Sequence, residues 1–243
     1  DTEAAAGTDA AAESTAGAGS AEGGKLIMAT EAGFAPYEYT EDGETVVGVD
    51  VDIANEIAKE LGMKLEIQNT TFDGALTAVQ QGKADFAAAG ISISEDRDKT
   101  MDFSIEYATS KQVAVVNKDA GRLTSIDDIN GDTIIGVQAG TVADTAYCAD
   151  NGYEPKRYNK FMEAALDLKN DKIDCIIMDE LPAKQMVEEN DDLTILDGEV
   201  MTDKYAIAVA EGNQELLDKI NPILQKLIDE GKIDEFTLNH TTK

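Results

Sequence analysis

The chain has 243 residues, 42% of them hydrophobic, with 20 basic and 49 acidic side chains and a formal charge of −29. That length suits one large domain or two small ones. The acidic excess argues against nucleic acid, whose phosphates need a basic patch, and against docking on an anionic membrane surface. A single histidine, His240, and two cysteines, Cys148 and Cys175, leave little for histidine catalysis, a zinc centre or a disulfide framework. No metal or other cofactor is expected; one bridge between the two cysteines stays open.

Residues 1–24 are Ala, Gly, Ser and Thr with five acids and no base. They contain no aromatic or β-branched aliphatic side chain to bury, so they read as a disordered tether. No signal peptide is expected within them; one was either removed or never present. Structured chain is expected from Lys25. "KLIMAT" (25–30) predicts a strand. "DVDIANEIAKELG" (50–62) predicts a helix with Asp50 as N-cap, Ile53, Ile57 and Leu61 on one face, and Gly62 as its stop. A strand over 64–69, a helix over 72–85 and a strand over 85–90 complete a β-α-β-α-β run, the pattern of a largely parallel sheet.

The order then recurs. Strands are expected at 133–138, 154–159 and 174–179, with helices at 141–152 and 161–172. "ALTAVQQGKADFAAAG" and "ALDLKNDKIDCIIMD" echo one another across the two units. Further strands are expected around 112–117, 193–196 and 205–209. Two helices close the chain, 213–231 and 232–239, the first kinked or divided at Pro222. This is an α/β protein of two similar lobes. If the last helices return to the first lobe, two crossing strands join the lobes and the cleft between them is the natural ligand site. No stretch approaches the length of an apolar membrane span.

Strand ends in open α/β sheets face the ligand crevice. Four stretches occupy such ends here: "ATEAGFAPYEY" (29–39), "AAGISISEDR" (88–97), "GVQAGTVAD" (136–144) and "IIMDE" (176–180). Together with "GVDVDIANEIAKELG", "GKADFAAAGISISEDRDKTMDFSIEY" and "IDCIIMDELPA", they resemble the extracytoplasmic solute-binding proteins, bacterial family 3, that deliver polar amino acids to ABC importers. The resemblance runs from about Lys25 to Phe236. It implies a two-lobed periplasmic-binding-protein-like fold of type II, with 25–108 plus 204–243 as lobe 1 and 109–203 as lobe 2. It also implies a free amino acid as ligand, a membrane permease as partner, a monomer, and an extracytoplasmic location. The Ala-rich tail resembles the tether of a lipid-anchored form, although the lipid-bearing cysteine is absent.

The resemblance implies roles for particular residues. Arg97 is one of only three arginines, and the resemblance places it on the ligand α-carboxylate, which its planar fork matches bidentately; the plainer reading pairs it with Glu95 or Asp98. Gly90 and Ser92 would offer backbone and hydroxyl to the same groups. Asp179 would take the α-ammonium, or cap the helix after it, or both. Thr141 and the Val142 N–H would hold the carboxylate from a helix start. Phe34 and Phe72 would wall the ligand side chain, Glu31 would meet its end, and Gln138 would add a neutral contact from the second lobe. An acid behind an aromatic sandwich suits a cation or an amide, so arginine or lysine ranks first and glutamine next. Two other classes stay open: a dehydratase-like enzyme on the same fold, and a detached amino-acid sensor domain.

Overall fold

The computed structural model describes residues 24–241. The tether expected over 1–24 therefore lies outside the described residues, save for Gly24. The first unit opens with β1 (Lys25–Thr30), the short pair β2 (Tyr39–Thr40) and β3 (Val46–Val47), α1 (Val49–Glu60), β4 (Lys64–Asn69), α2 (Phe72–Gln80) and β5 (Phe86–Ala87). A 3-10 turn at Arg97–Lys99 leads into β6 (Met101–Phe103). The second unit holds β7 (Ala108–Asn117), β8 (Ile135–Gln138), α3 (Ala149–Asn151), β9 (Lys156–Tyr158), α4 (Phe161–Lys169), β10 (Cys175–Asp179), α5 (Glu180–Glu189), β11 (Leu193–Ile195) and β12 (Met201–Tyr205). A π-helical segment, Ala143–Cys148, runs directly into α3. The chain ends with β13 (Ala208–Ala210), α6 (Gln214–Asp229) and α7 (Lys232–Thr241).

Two main sheets form, one per lobe, beside the two-stranded β2-β3 sheet. The first has the order β4-β1-β5-β13-β6, with β1 parallel to both β4 and β5. The second has the order β11-β7-β10-β8-β9, with β8 parallel to β9 and β10, and β12 alongside β7. β4, β5, β9 and β10, which follow helices, each have a parallel partner, as βα units require, whereas β11, after α5, pairs antiparallel with β7. The strands fed by the crossing segments, β7, β12 and β13, pair antiparallel. The chain passes between sheets at 104–107 and 206–207. The two passes are laced together: Ser104 N–H and Tyr107 N–H donate to Ile207 and Tyr205 carbonyls at 2.9 Å each.

Apolar spacing explains the helices. Val49, Ile53, Ala54 and Ile57 put one face of α1 into the core, and Gly62 leaves the helix at φ +64. Asp50, expected as the N-cap, is not one. The helix starts at Val49 behind Gly48, and Asp50 turns inward, fully buried. α6 buries Leu217, Ile220, Leu224 and Leu227 and continues through Pro222 rather than dividing there. It packs with α7 on α1, so the tail helices return to the first lobe. Cys148 and Cys175 are both buried free thiols in the second lobe's core.

Candidate functional site

The C-terminal ends of β1, β5, β8 and β10 converge between the lobes. All ten residues singled out from the sequence line one narrow cavity there, joined by Glu38 and Ala89. The cavity is closed down to about 10 Å³, roughly the room of one water molecule.

Arg97 lies on this cavity and not on the surface; it is 8% exposed. Its Nη1 donates to the Ser92 carbonyl at 2.5 Å and its Nη2 to the Gly140 carbonyl, in the other lobe, at 2.7 Å. The guanidinium also sits over the Phe72 ring, 5.3 Å from its centre. Arg122 and Arg157 both have carboxylate partners, Asp174 and Asp144. Arg97, among the described residues, has none within ion-pair distance. Burial without such a partner pushes its pKa down to about 10, against the pull of Asp203, Asp73 and Asp179. A desolvated fork with donors to spare suits an anion.

Gly140 is fixed by its own loop. Its N–H donates to Asp144 at 3.1 Å, and Arg157 Nε grips the same carboxylate at 2.9 and 3.0 Å. Thr141 spends its hydroxyl on the Gln138 carbonyl at 2.8 Å, ordering the turn ahead of the π-helical segment.

At the other side of Arg97 sit two buried acids. Asp179 occupies the N-cap position of α5 but makes no side-chain cap bond. Its Oδ1 accepts instead from Ser110 Oγ at 2.6 Å and from the Tyr205 hydroxyl. Asp203 accepts from the Ser92 hydroxyl and, at 3.4 Å, from Gln112 Nε2. Burial raises both acids above the ordinary carboxylate range, Asp203 to about 7 with the charge of Asp179 adding to it.

Glu31 marks the far end. It is 2% exposed; Oε2 accepts from Gln138 Nε2 across the cleft at 3.0 Å, and Oε1 is buried with no partner. Burial raises its pKa; the Gln138 bond and the charge of exposed Lys160 moderate that. Phe34 stacks on Phe161 of α4, centroids 6.0 Å apart, a third contact between lobes.

Gly90 has φ +53, and a Cβ there would lie 2.6 Å from the Phe34 ring. Its N–H donates to Asp50 Oδ2 at 2.8 Å, and Asp50 Oδ1 accepts from Tyr107 at 2.7 Å. The left-handed backbone alone costs alanine about 1–2 kcal/mol. Gly90→Ala should therefore lower the melting temperature by roughly 2–8 °C, more if Phe34 is held. Calorimetric melting checks it, and an unchanged melt would show that this loop is not strained.

Asp203, Glu38, Ser110, Gln112, Tyr205, Phe161 and Lys160 also belong to the site or its walls, and the sequence does not single them out. It carries a signal for two of them: Ser110 and Gln112 stand two apart in the polar run 109–112 of β7, next to the apolar stretch 113–116. Glu38 is fully buried beside Asp50, and burial followed by that charge holds its carboxyl well above the usual range.

Comparisons with known proteins place the chain in a family. The family model for bacterial extracellular solute-binding proteins, family 3, matches residues 26–242. The chain is 32% identical to the arginine-binding extracellular protein ArtP of Bacillus subtilis, over 87% of this chain and 84% of that one. It is 30% identical to a probable histidine-binding protein of Neisseria gonorrhoeae, over 94% and 87%. Among solved structures, an amino acid ABC transporter substrate-binding protein, AbpA from Streptococcus pneumoniae, bound to L-arginine, superposes with a TM-score of 0.83 at 35% identity, covering 90% of this chain and 94% of that one.

Proposed function

The chain belongs to the bacterial extracellular solute-binding proteins of family 3, and from that membership we propose that it binds a free cationic L-amino acid, arginine before lysine, and hands it to an ABC importer. Glutamine is the runner-up. The protein performs no chemistry on the ligand. In the full-length protein the Ala-rich N-terminus tethers it to a lipid anchor on the outer face of the membrane.

The observation that carries the cationic reading is Glu31. A carboxylate with an unpartnered oxygen, buried at the end of the cleft opposite Asp179, is costly unless a donor meets it. The charge balance points the same way. Glu31, Glu38, Asp50, Asp179 and Asp203 are buried in and behind the cavity, with Arg97 as the one buried cation among them. An α-carboxylate suits Arg97, an α-ammonium suits Asp179, and a second cationic group suits Glu31. The homologues whose names specify arginine support the same ranking.

Closure follows from where the groups stand. Arg97 to Gly140, Glu31 to Gln138 and Phe34 to Phe161 all cross between lobes. A ligand bonded to both lobes favours the closed arrangement by its differential affinity for it.

A thermal-shift panel tests the reading: arginine, lysine, ornithine, histidine, glutamine and citrulline. Citrulline keeps the shape of arginine without its charge. Arginine or lysine should stabilise most, with citrulline far behind. Equal stabilisation by citrulline would overturn the cationic ligand, and a flat panel would overturn amino-acid binding.

A further inference from the structure

We propose that Asp203 is a positioning residue of the ligand site, forming with Asp179 an acid pair that holds one proton in the free protein and surrenders it when the α-ammonium arrives. The inference rests on the amino-acid reading above, and it concerns any amino acid, since the ammonium is common to all.

Strand register brings the two acids together. On β7, Gln112 pairs with Asp179 of β10, and Ser110 pairs with Asp203 of β12. Residues two apart on a strand share a face, so all four side chains project to one side of the sheet. Their hydrogen bonds are crossed. Ser110, beside Asp203, donates to Asp179, and Gln112, beside Asp179, donates to Asp203. The two carboxyl groups are thereby drawn over the same strand from its two sides.

The surroundings do not neutralise two charges. Asp179 and Asp203 are 6% and 8% exposed. Arg97 is the cation that faces them, and it is committed to the Ser92 and Gly140 carbonyls. Tyr205 faces the pair from β12, and Tyr37 and Glu38 face it from the turn after β1. None of these is a cation. His240 bonds Asp52 and Tyr39, away from the pair. Asp203 Oδ1 is buried with no partner. Two buried carboxylates that share the field of one cation, hydrogen-bonded to neither of them, retain a proton between them.

An ammonium supplies the missing positive charge. The proton on the pair is then redundant, and it leaves to solvent as the N–H···O bonds to Asp179 form. Asp203 acts through its bonds with Ser92 and Gln112, which align the acid edge of the cavity. The sign follows from linkage. Burial and the charge of Asp179 hold Asp203 at about 7 in the free protein, and an ammonium partner lowers it. Affinity is therefore full above that pH and falls as pH drops through it, until the bound form also protonates.

Titration calorimetry at pH 7 in buffers of different ionisation enthalpy counts the proton, with L-arginine and L-glutamine as probes. About half a proton should be released per ligand bound, and affinity should weaken by about tenfold from pH 8 to pH 6, the limit for one group titrating midway. Asp203→Asn should abolish the release and flatten the pH profile, a readout that a merely structural role would leave unmoved. Glu31→Gln should keep the release, because Glu31 meets the side chain and not the ammonium. Should Asp203→Asn fail to bind, the intact protein and Glu31→Gln decide alone. Binding without proton release, or release that survives Asp203→Asn or vanishes in Glu31→Gln, overturns the inference and leaves the proposed function standing. Absence of binding by every amino acid overturns both.

Discussion

Arg97→Ala should weaken every amino-acid ligand by roughly 2–5 kcal/mol, the cost of removing one partner of a desolvated charge pair, or about 30- to several-thousand-fold in Kd. The loss has two parts. The ligand carboxylate loses its bidentate donor. The lobes also lose the bond from Nη2 to the Gly140 carbonyl, which ties one side of the cleft to the other. The fold should survive, because Arg97 holds no carboxylate and its release strands no buried acid in an ion pair. Arg97→Lys separates charge from geometry: a point charge retains attraction but lacks the planar fork, so an intermediate loss is expected. Calorimetric titration with a melting control measures both. Near-wild-type affinity for Arg97→Ala would return this residue to a purely structural bond between lobes.

The placing of Arg97 illustrates what is legible in the chain. Scarcity of arginine and a strand-end position mark it in the sequence itself, and the other two arginines do pair with acids, as a plain surface reading expects. The strand and helix order is legible because parallel βα units carry continuous apolar strands and 3.6-residue helical faces. Asp50 misleads because a good N-cap residue before an apolar helix is locally convincing. Here Gly48 starts the helix, and the acid is instead needed by Gly90 N–H and Tyr107. Tertiary demand outweighs local propensity. Asp203 is illegible for a different reason. Its role depends on a strand from the return crossing lying against β7 in one register, and no local spacing reveals which strand that is. Phe161 likewise meets Phe34 only once the lobes face each other.

Glu31→Gln should separate selectivity from general binding. The substitution removes the charge but keeps the shape and the capacity to bond Gln138, so the cross-lobe contact at Oε2 has a replacement. Affinity for arginine or lysine should fall by about 1.5–3 kcal/mol, the scale of a hydrogen bond to a charged group, or roughly 10- to 150-fold. Lys160, whose charge reaches Glu31 in the intact protein, is left unopposed by the change, and its field adds to the loss for cationic ligands alone. Affinity for glutamine should change little, since an amide can bond either a carboxylate or another amide. The ratio of the two affinities is the observable, because it cancels any general damage to the cleft. On the proposed reading Arg97 and Asp179 meet the groups shared by all amino acids, so their variants should move both affinities together and leave that ratio near its original value. Titrations of the intact protein, Glu31→Gln and Asp179→Asn with arginine and glutamine decide it. Equal losses for both ligands in Glu31→Gln would place Glu31 in the shared part of the site. No loss for either would leave side-chain selectivity to Gln138 and the Phe34 and Phe72 walls, and would remove the main support for a cationic ligand.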